Sequence, residues 1–400
     1  MRTHPPGSAG EVFTAFLRLG LTAFGGPVAH LAYFREAFVA RRKWLSEAEY
    51  ADTVALCQFL PGPASSQVGM ALGLQRAGWR GMLAAFAAFT LPSAILMLLF
   101  AGGAVFLGET LGSGWLTGLK AAAVAVVAQA VLAMAKTLAA EKIPAVLAAA
   151  AFALVLLVPG AFSQLLAILL GALAGLLLLR RSTPGEAGTA NASRRPALPM
   201  PVAVSALVVF AVLLLGLPVL AALTGNDALV LSEIFYRAGA LVFGGGHVVL
   251  PLLEAQLVPT GLIDHDLFLA GYGAAQAVPG PLFTFSSYLG ALSQDSLAPL
   301  AGAGLAVLTM FLPGALLVAG ALPFWQRLRT WAPARRALIG VNATVVGILS
   351  AALYDPVFTA GVTSAGTLAL AVAAFVGLHR LKLAPWLVVV GAAVLGQFFF

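Results

Sequence analysis

Arg18 and Arg237 each lie inside an apolar stretch, a short way ahead of a Phe-Gly-Gly sequence, Phe24-Gly25-Gly26 and Phe243-Gly244-Gly245. A guanidinium at mid-bilayer costs about 2.5–3.5 kcal/mol on insertion scales, so it is kept where it pairs, snorkels to the interface or binds an anion. Glu11 and Glu233 are the nearby acids that would serve the first two readings. Consecutive glycines break a helix and leave backbone N–H groups at a half-helix start, where the helix dipole favours an anion. Tight helix crossing through small residues is the competing reading. A second doubled motif follows: Gln58-Phe-Leu-Pro61-Gly62-Pro63 and Gln276-Ala-Val-Pro279-Gly280-Pro281. Hydroxyl and amide side chains stand just beyond each, Ser65, Ser66 and Gln67, then Thr284, Ser286 and Ser287. N–H groups, hydroxyls and a planar guanidinium fork together suit a desolvated oxyanion.

Other polar residues are candidates for coupling or accessory roles. Lys120 has Asn342 as its repeat counterpart, and either substrate binding or structure would explain it. His30 and His247 follow the two Gly-Gly breaks, at non-equivalent positions; each is a proton carrier or a satisfied polar contact. Glu36, Glu47, Glu49 and Asp52 surround a basic loop and read as a solvated salt-bridge face, with Glu36 and Asp52 also candidates for carrying protons. One cysteine, Cys57, excludes an internal disulfide framework and a multi-Cys metal site. No His-Glu-x-x-His, Gly-x-Ser-x-Gly or Gly-x-x-x-x-Gly-Lys-Ser/Thr pattern occurs, which argues against an enzyme and against ATP as the energy source. No metal or cofactor is expected.

These residues must be positioned inside a bilayer. The chain is 61% apolar and 9% charged, against about 25% charged in soluble domains. The net charge of +7 comes from basic residues in short loops, so it is no sign of nucleic-acid binding. Candidate membrane segments are 12–34, 48–72, 80–107, 115–135, 143–159, 162–180, 201–223, 233–253, 266–290, 298–323, 337–355, 357–378 and 383–400. The duplication continues through Pro92 and Pro313 and through Gly118-Leu-Lys120 and Gly340-Val-Asn342. The expected architecture is all-α and polytopic: a first repeat at 1–180, a cytoplasmic linker at 181–199, a connecting transmembrane helix at 200–229 and a second repeat at 230–400. Gly171-x-x-x-Gly175 reads as helix packing.

An odd connecting helix between equal repeats requires them to be inverted. Loop charges agree, since cytoplasmic loops collect Lys and Arg. The loops with Arg76/Arg80 and Lys136/Lys142 are basic, whereas their counterparts contain Asp295 and Asp355. The loop with Glu109 and the uncharged loop near 160 have basic counterparts, at Arg327, Arg329, Arg335 and Arg336, and at Arg380 and Lys382. The basic loop Arg35, Arg41, Arg42 and Lys43 fits this pattern only if segment 48–72 enters and returns, turning at Pro61-Gly62-Pro63. The acidic loop Glu254, Asp264 and Asp266 requires the same at Pro279-Gly280-Pro281. Non-helical backbone at that depth must be buried in protein or line a wet cavity.

Phe16-Leu-Arg-Leu-Gly-x-x-x-Phe-Gly-Gly-Pro-x-x-His30, Arg41-Arg-Lys-Trp44-Leu and Gln58-Phe-Leu-Pro-Gly-Pro-x-Ser-Ser-Gln-Val-Gly69 resemble the chromate ion transporter family. The second half, with Phe243-Gly-Gly-Gly-His247 and Gln276-Ala-Val-Pro-Gly-Pro-Leu-Phe-Thr-Phe285, resembles it too. The resemblance covers both halves and corresponds to the long, two-domain form. It implies secondary export of chromate across a bacterial inner membrane, giving chromate resistance. Sulfate or another tetrahedral oxyanion, and a passive anion channel or exchanger, are the alternatives; protons are a candidate coupling ion, and a homodimer is compatible with the chain. By resemblance the functional positions include Arg18, Phe24, Gly25, Gly26, Pro27, His30, Glu36, Trp44, Pro61, Gly62, Pro63, Ser65, Ser66 and Gln67. In the second copy they are Arg237, Gly244, Gly245, Gly246, Pro279, Gly280 and Pro281. The second copy departs by placing Gly246 where the first has Pro27, and it lacks an Arg-Arg-Lys-Trp-Leu sequence.

Overall fold

The computed structural model describes residues 7–158, 160–179, 198–293 and 297–400, and no strand is found among them. The linker at 181–199, apart from Leu198 and Pro199, and the loop residue Asp295 lie outside the described residues. In the first half the helices are α1 Ala9–Thr22, α2 Gly26–Phe34, α3 Glu47–Phe59, α4 Ala64–Leu111, α5 Gly114–Leu138, α6 Lys142–Leu157 and α7 Ala161–Leu178. The connecting helix is α8 Met200–Thr224. The second half contains α9 Asp227–Leu241, α10 Val249–Leu257, α11 His265–Ala275, α12 Phe285–Leu292, α13 Pro299–Ala321, α14 Trp325–Leu328, α15 Ala332–Ala352, α16 Thr359–Gly361, α17 Ala365–His379 and α18 Pro385–Phe399. Among the described residues, five helices are long and apolar enough to cross a bilayer: Ala64–Ala104, α5, α8, Pro299–Phe324 and Ala332–Gly361. At 1.5 Å per residue, the 25 residues of α5 reach about 37 Å, which exceeds a hydrocarbon core of about 30 Å.

Local chemistry sets the helix ends. Ser8 caps α1, Ser46 and Glu49 form a capping box on α3, and Asp264 caps α11 by accepting from the N–H groups of Asp266 and Leu267. Ser46 and Asp264 occupy matching places ahead of Gln58 and Gln276, so both Pro-Gly-Pro hairpins begin at a capped helix. α4 is bent where Ala77 and Gly78 leave helical geometry, dividing it into a short first arm and a long second arm.

The structure has the expected helix breaks at the Gly-Gly sequences of segments 12–34 and 233–253, but the chain reverses at each break instead of continuing across. In the first, Gly25 (φ 101°) and Gly26 (φ 75°) turn the chain between α1 and α2. The far ends then meet: Trp44 Nε1 donates to Glu11 Oε1 at 2.9 Å, and Arg76 lies 3.1 Å from the same carboxylate. In the second, α9 and α10 double back across Phe243-Gly244-Gly245, which brings Gln256 beside Arg237. Each half therefore carries two helical hairpins, one turning at Gly-Gly and one at Pro-Gly-Pro.

Long helices pack in matched pairs across the halves. α5 packs on α17 and α18, while its repeat counterpart α15 packs on α6 and α7. Apolar side chains gain little from leaving lipid for protein, so association depends on close backbone approach. A Cβ at Gly118 would run into the Ala392 carbonyl oxygen, and one at Gly340 into that of Gly171. Gly171 and Gly175 thus serve helix crossing. The largest buried cluster is shared, with Leu119 and Val127 of the first half against Phe235, Phe285, Tyr288 and Val345 of the second.

Candidate functional site

The four helix breaks come together in two crossed pairs. Gly62 N–H of the first Pro-Gly-Pro turn donates to Val242 O at 2.7 Å, at the end of α9. Gly280 N–H of the second donates to Ala23 O at 2.9 Å, at the end of α1. Val242 and Ala23 immediately precede the two Phe-Gly-Gly sequences. Both turn glycines require their type: φ is +121° at Gly62 and +94° at Gly280, where L side chains are strained. A Cβ would also stand 2.9 Å from Gln67 Nε2 at Gly62 and 2.8 Å from Ser93 Oγ at Gly280. The flanking prolines Pro61, Pro63, Pro279 and Pro281 have no backbone N–H to leave unpaired.

The helices leaving these breaks begin side by side. α2 starts at Gly26 and α4 at Ala64, while short 3-10 turns Gly246–Val248 and Leu282–Thr284 lead into α10 and α12. A Cβ on Gly246 would lie 3.6 Å from Pro27 Cγ and 3.4 Å from the Phe283 ring, so the two Gly-Gly breaks and the second Pro-Gly-Pro turn are neighbours. The N–H groups of Ala64, Ser65, Ser66, Gly246 and His247 have no backbone acceptor among the described residues. Gly25 and Gly244 are exposed, and Gly26 and Gly245 half-buried, whereas the second Pro-Gly-Pro turn is buried.

Side chains around the breaks leave hydrogen-bonding capacity unused. Ser66 Oγ, Thr90 Oγ1, Ser286 Oγ, Gln67 Oε1 and Gln276 Nε2 are buried without a partner. An unmet buried polar group costs about 1–3 kcal/mol, so these atoms keep hydrogen bonds to give or accept. The other hydroxyls are engaged: Thr284 donates to Pro281 O and Ser287 to Ala94 O, both at 2.8 Å. His30 Nε2 lies 3.2 Å from Ala23 O and its Nδ1 3.4 Å from Ser65 Oγ. His247 Nδ1 lies 2.7 Å from the Tyr272 hydroxyl. The two histidines thus brace opposite halves of the same region through different contacts.

The paired arginines differ. Arg237 is held by Glu233, with Nε 2.9 Å from Oε1, and donates from Nε to Gln256 Oε1 at 3.1 Å. Arg18 is exposed, and its guanidinium has no partner among the described residues. Its expected partner, Glu11, is taken by Arg76 and Trp44. Other candidates stand away from the breaks. Lys120 Nζ pairs with Asp266 at 2.8 Å, Glu36 pairs with Arg41 at 2.8 Å, and Trp44 stacks on Phe38 with ring centroids 4.5 Å apart. Gln58 is exposed; Asn342 Oδ1 is buried without a partner on α15. Sequence reading missed Thr90, Ser93, Gln256 and Tyr272, which come from other helices, and the Ala23 and Val242 carbonyls, which any residue type would supply.

A family model described as "Chromate transporter" matches residues 10–176 and again 229–397. The chromate transport protein of Pseudomonas aeruginosa is 29% identical over 366 residues, covering 88% of this chain and 82% of that protein. That of Cupriavidus metallidurans is 26% identical over 407 residues, covering 99% and 94%. A probable chromate transport protein of Synechococcus elongatus is 27% identical over 342 residues, covering 82% and 79%. No solved structure matches the chain.

Proposed function

Because the chain belongs to the chromate transporter family, a transporter family and not an enzyme family, we propose that this multi-pass membrane protein exports chromate from the bacterial cytoplasm. The observation that carries the reading is the crossed pair of hydrogen bonds, Gly62 to Val242 and Gly280 to Ala23, which gathers half-helix starts into one polar region. Helix starts of this kind, pointed at a central site between repeats, bind anionic groups in secondary transporters. The halves are read as inverted, with four hairpins re-entering from the two faces. The alternation of basic and acidic or uncharged loops between equivalent positions of the two halves supports this. Arg18 and Arg237 supply charge, the N–H groups and hydroxyls shape, and an ion gradient or voltage the energy. Expelling a dianion from a negative-inside cell is favoured by about 2.3 kcal/mol per charge per 100 mV.

Labelled chromate and sulfate fluxes in inverted vesicles, with and without proton and voltage gradients, test the reading. Saturable, gradient-responsive chromate uptake is expected. Sulfate transport with no chromate transport under any gradient would overturn the substrate, and flux that never saturates would identify a channel. Arg18→Gln and Arg237→Gln should each cut chromate flux about ten-fold or more, since a hydrogen bond to a charged group contributes about 1.5–3 kcal/mol. Wild-type flux with either change would remove that arginine from the site.

Among the described residues, two ion pairs join the halves. Asp52 on α3 accepts from Trp325 Nε1 at 2.9 Å and lies 3.3 Å from Arg329; Lys120 on α5 pairs with Asp266 on α11. α3 and α11 are repeat equivalents, so in an inverted arrangement these pairs latch opposite ends. Asp52→Asn and Asp266→Asn should shift accessibility of cysteines near the breaks in opposite directions. A pair worth about 1 kcal/mol corresponds to roughly a five-fold shift in population. Shifts of the same sign would refute the paired-latch reading.

A further inference from the structure

The second-half arginine carries a carboxylate that the first half lacks. Glu233 precedes Arg237 by one helical turn on α9, and the matching place before Arg18 is Thr14. The Glu233 side chain is 10% exposed and that of Arg237 31%. Arg237 Nη2 donates to Glu233 Oε2 at 3.3 Å and to Gln256 Oε1, whose Nε2 is in turn tied to Leu252 O at 2.7 Å. One edge of the guanidinium is therefore fixed by α9 and α10. Its Nη1 corner has no partner among the described residues.

Among the described residues no other cation relieves Glu233. α9 packs on α8, α10 and α13, and against the turn at Pro61–Pro63. α8, α13 and that turn contain no ionisable residue. α10 brings Gln256 and a further acid, Glu254; the 3-10 turn ahead of it brings His247, which is engaged with Tyr272. α9 itself adds Asp227 at its start and Tyr236, whose hydroxyl donates to Phe210 O. A buried carboxylate keeps its charge through a neighbouring cation, and a second anion on that cation shifts the balance towards protonation.

We infer that Glu233 carries the coupling proton: when an oxyanion docks on the open corner of Arg237, Glu233 takes a proton from the water on that side. The inference rests on the reading of Arg237 as part of the anion site. The proton crosses with the anion in the same direction and leaves when the anion leaves, because Arg237 then returns to the carboxylate alone. No bond other than the O–H bond of Glu233 is made or broken. A chromate dianion moved in this way carries one net negative charge rather than two. Voltage then drives export, and the proton leaves with the anion instead of entering against it.

The full chain, reconstituted in liposomes with an internal pH dye, tests this with chromate as the probe. The wild-type protein is expected to move one proton with each chromate, in the same direction, and one net charge by reversal potential. Chromate flux that moves no proton, or moves protons oppositely, overturns the proposal whatever the variants do. Glu233→Gln should flatten the pH profile of transport and raise the charge moved per chromate from one to two, while Glu233→Asp should keep the proton coupling. A Glu233→Gln protein with the wild-type pH profile and charge overturns it as well. Wild-type flux in Arg237→Gln would instead remove the anion-site reading on which the inference rests, and absence of chromate flux in the wild type would remove the proposed function itself.

Discussion

Gly280→Val abolishes chromate transport while leaving the protein in the membrane: that is the expected result at the crossing of the two halves. Gly280 sits at φ +94°, where an L residue is strained by about 1–2 kcal/mol. Its Cβ would meet Ser93 Oγ at 2.8 Å and Phe89 O at 3.2 Å, on the second arm of α4. Crowding a packed interior adds about 1–3 kcal/mol. The turn relieves both by shifting, and the shift breaks the Gly280 N–H bond to Ala23 O. The starts of α2 and α12 then no longer share one region, so at least about a hundred-fold of transport should be lost, the result of roughly 2.7 kcal/mol in transport barriers. Gly216→Ala on α8, where a Cβ meets nothing within 4 Å, is the control and should transport normally. Flux per inserted molecule, measured beside the melting temperature, separates loss of the site from loss of the fold. Normal flux in Gly280→Val would show that the crossed pair does not hold the site.

Gly340→Leu should be worse, because it attacks assembly. Gly340 on α15 lies against the Gly171 carbonyl and 2.9 Å, measured from an added Cβ, from Gly175 Cα on α7. A leucine there forces the two backbones apart along their whole crossing. In a bilayer the displaced apolar surface is re-covered by lipid at little cost, so lost packing is not restored by a hydrophobic penalty for separation. Against a total stability of about 5–15 kcal/mol, moving one core helix leaves little folded protein. Gly118→Leu, at the matched crossing of α5 with α18, should behave alike. Monodisperse yield after detergent extraction is the measurement, and near-normal yield in both variants would refute the crossed packing.

Gly25 and Gly26 show how far local signals reach. Their doubling with Gly244 and Gly245 marks a helix break in the sequence, but whether the chain then continues or reverses depends on two successive positive φ values. Trp44 closing on Glu11 records the reversal. The capped starts of α3 and α11 were open to the same kind of reading, because Ser46 with Glu49 and Asp264 act within a few residues. Gln256 carried no such signal. It matters because it meets Arg237, and that meeting depends on the return of α10 along α9.

Composition and the doubled motifs are enough to establish an integral membrane protein built from repeats, and their polar neighbours are of the kinds that suit an oxyanion. Those properties follow from side-chain chemistry and from spacing along one helix or turn, so they need no knowledge of distant contacts. Which break meets which was decided only in three dimensions. Pro-Gly-Pro of each half joins Phe-Gly-Gly of the other through backbone N–H and C=O groups, and every residue type but proline offers both. The inequality of Arg18 and Arg237 was decided in two steps. Glu233 one turn before Arg237, where Arg18 has Thr14, is local and stands in the sequence, whereas the Gln256 amide reaches Arg237 only because α10 returns along α9.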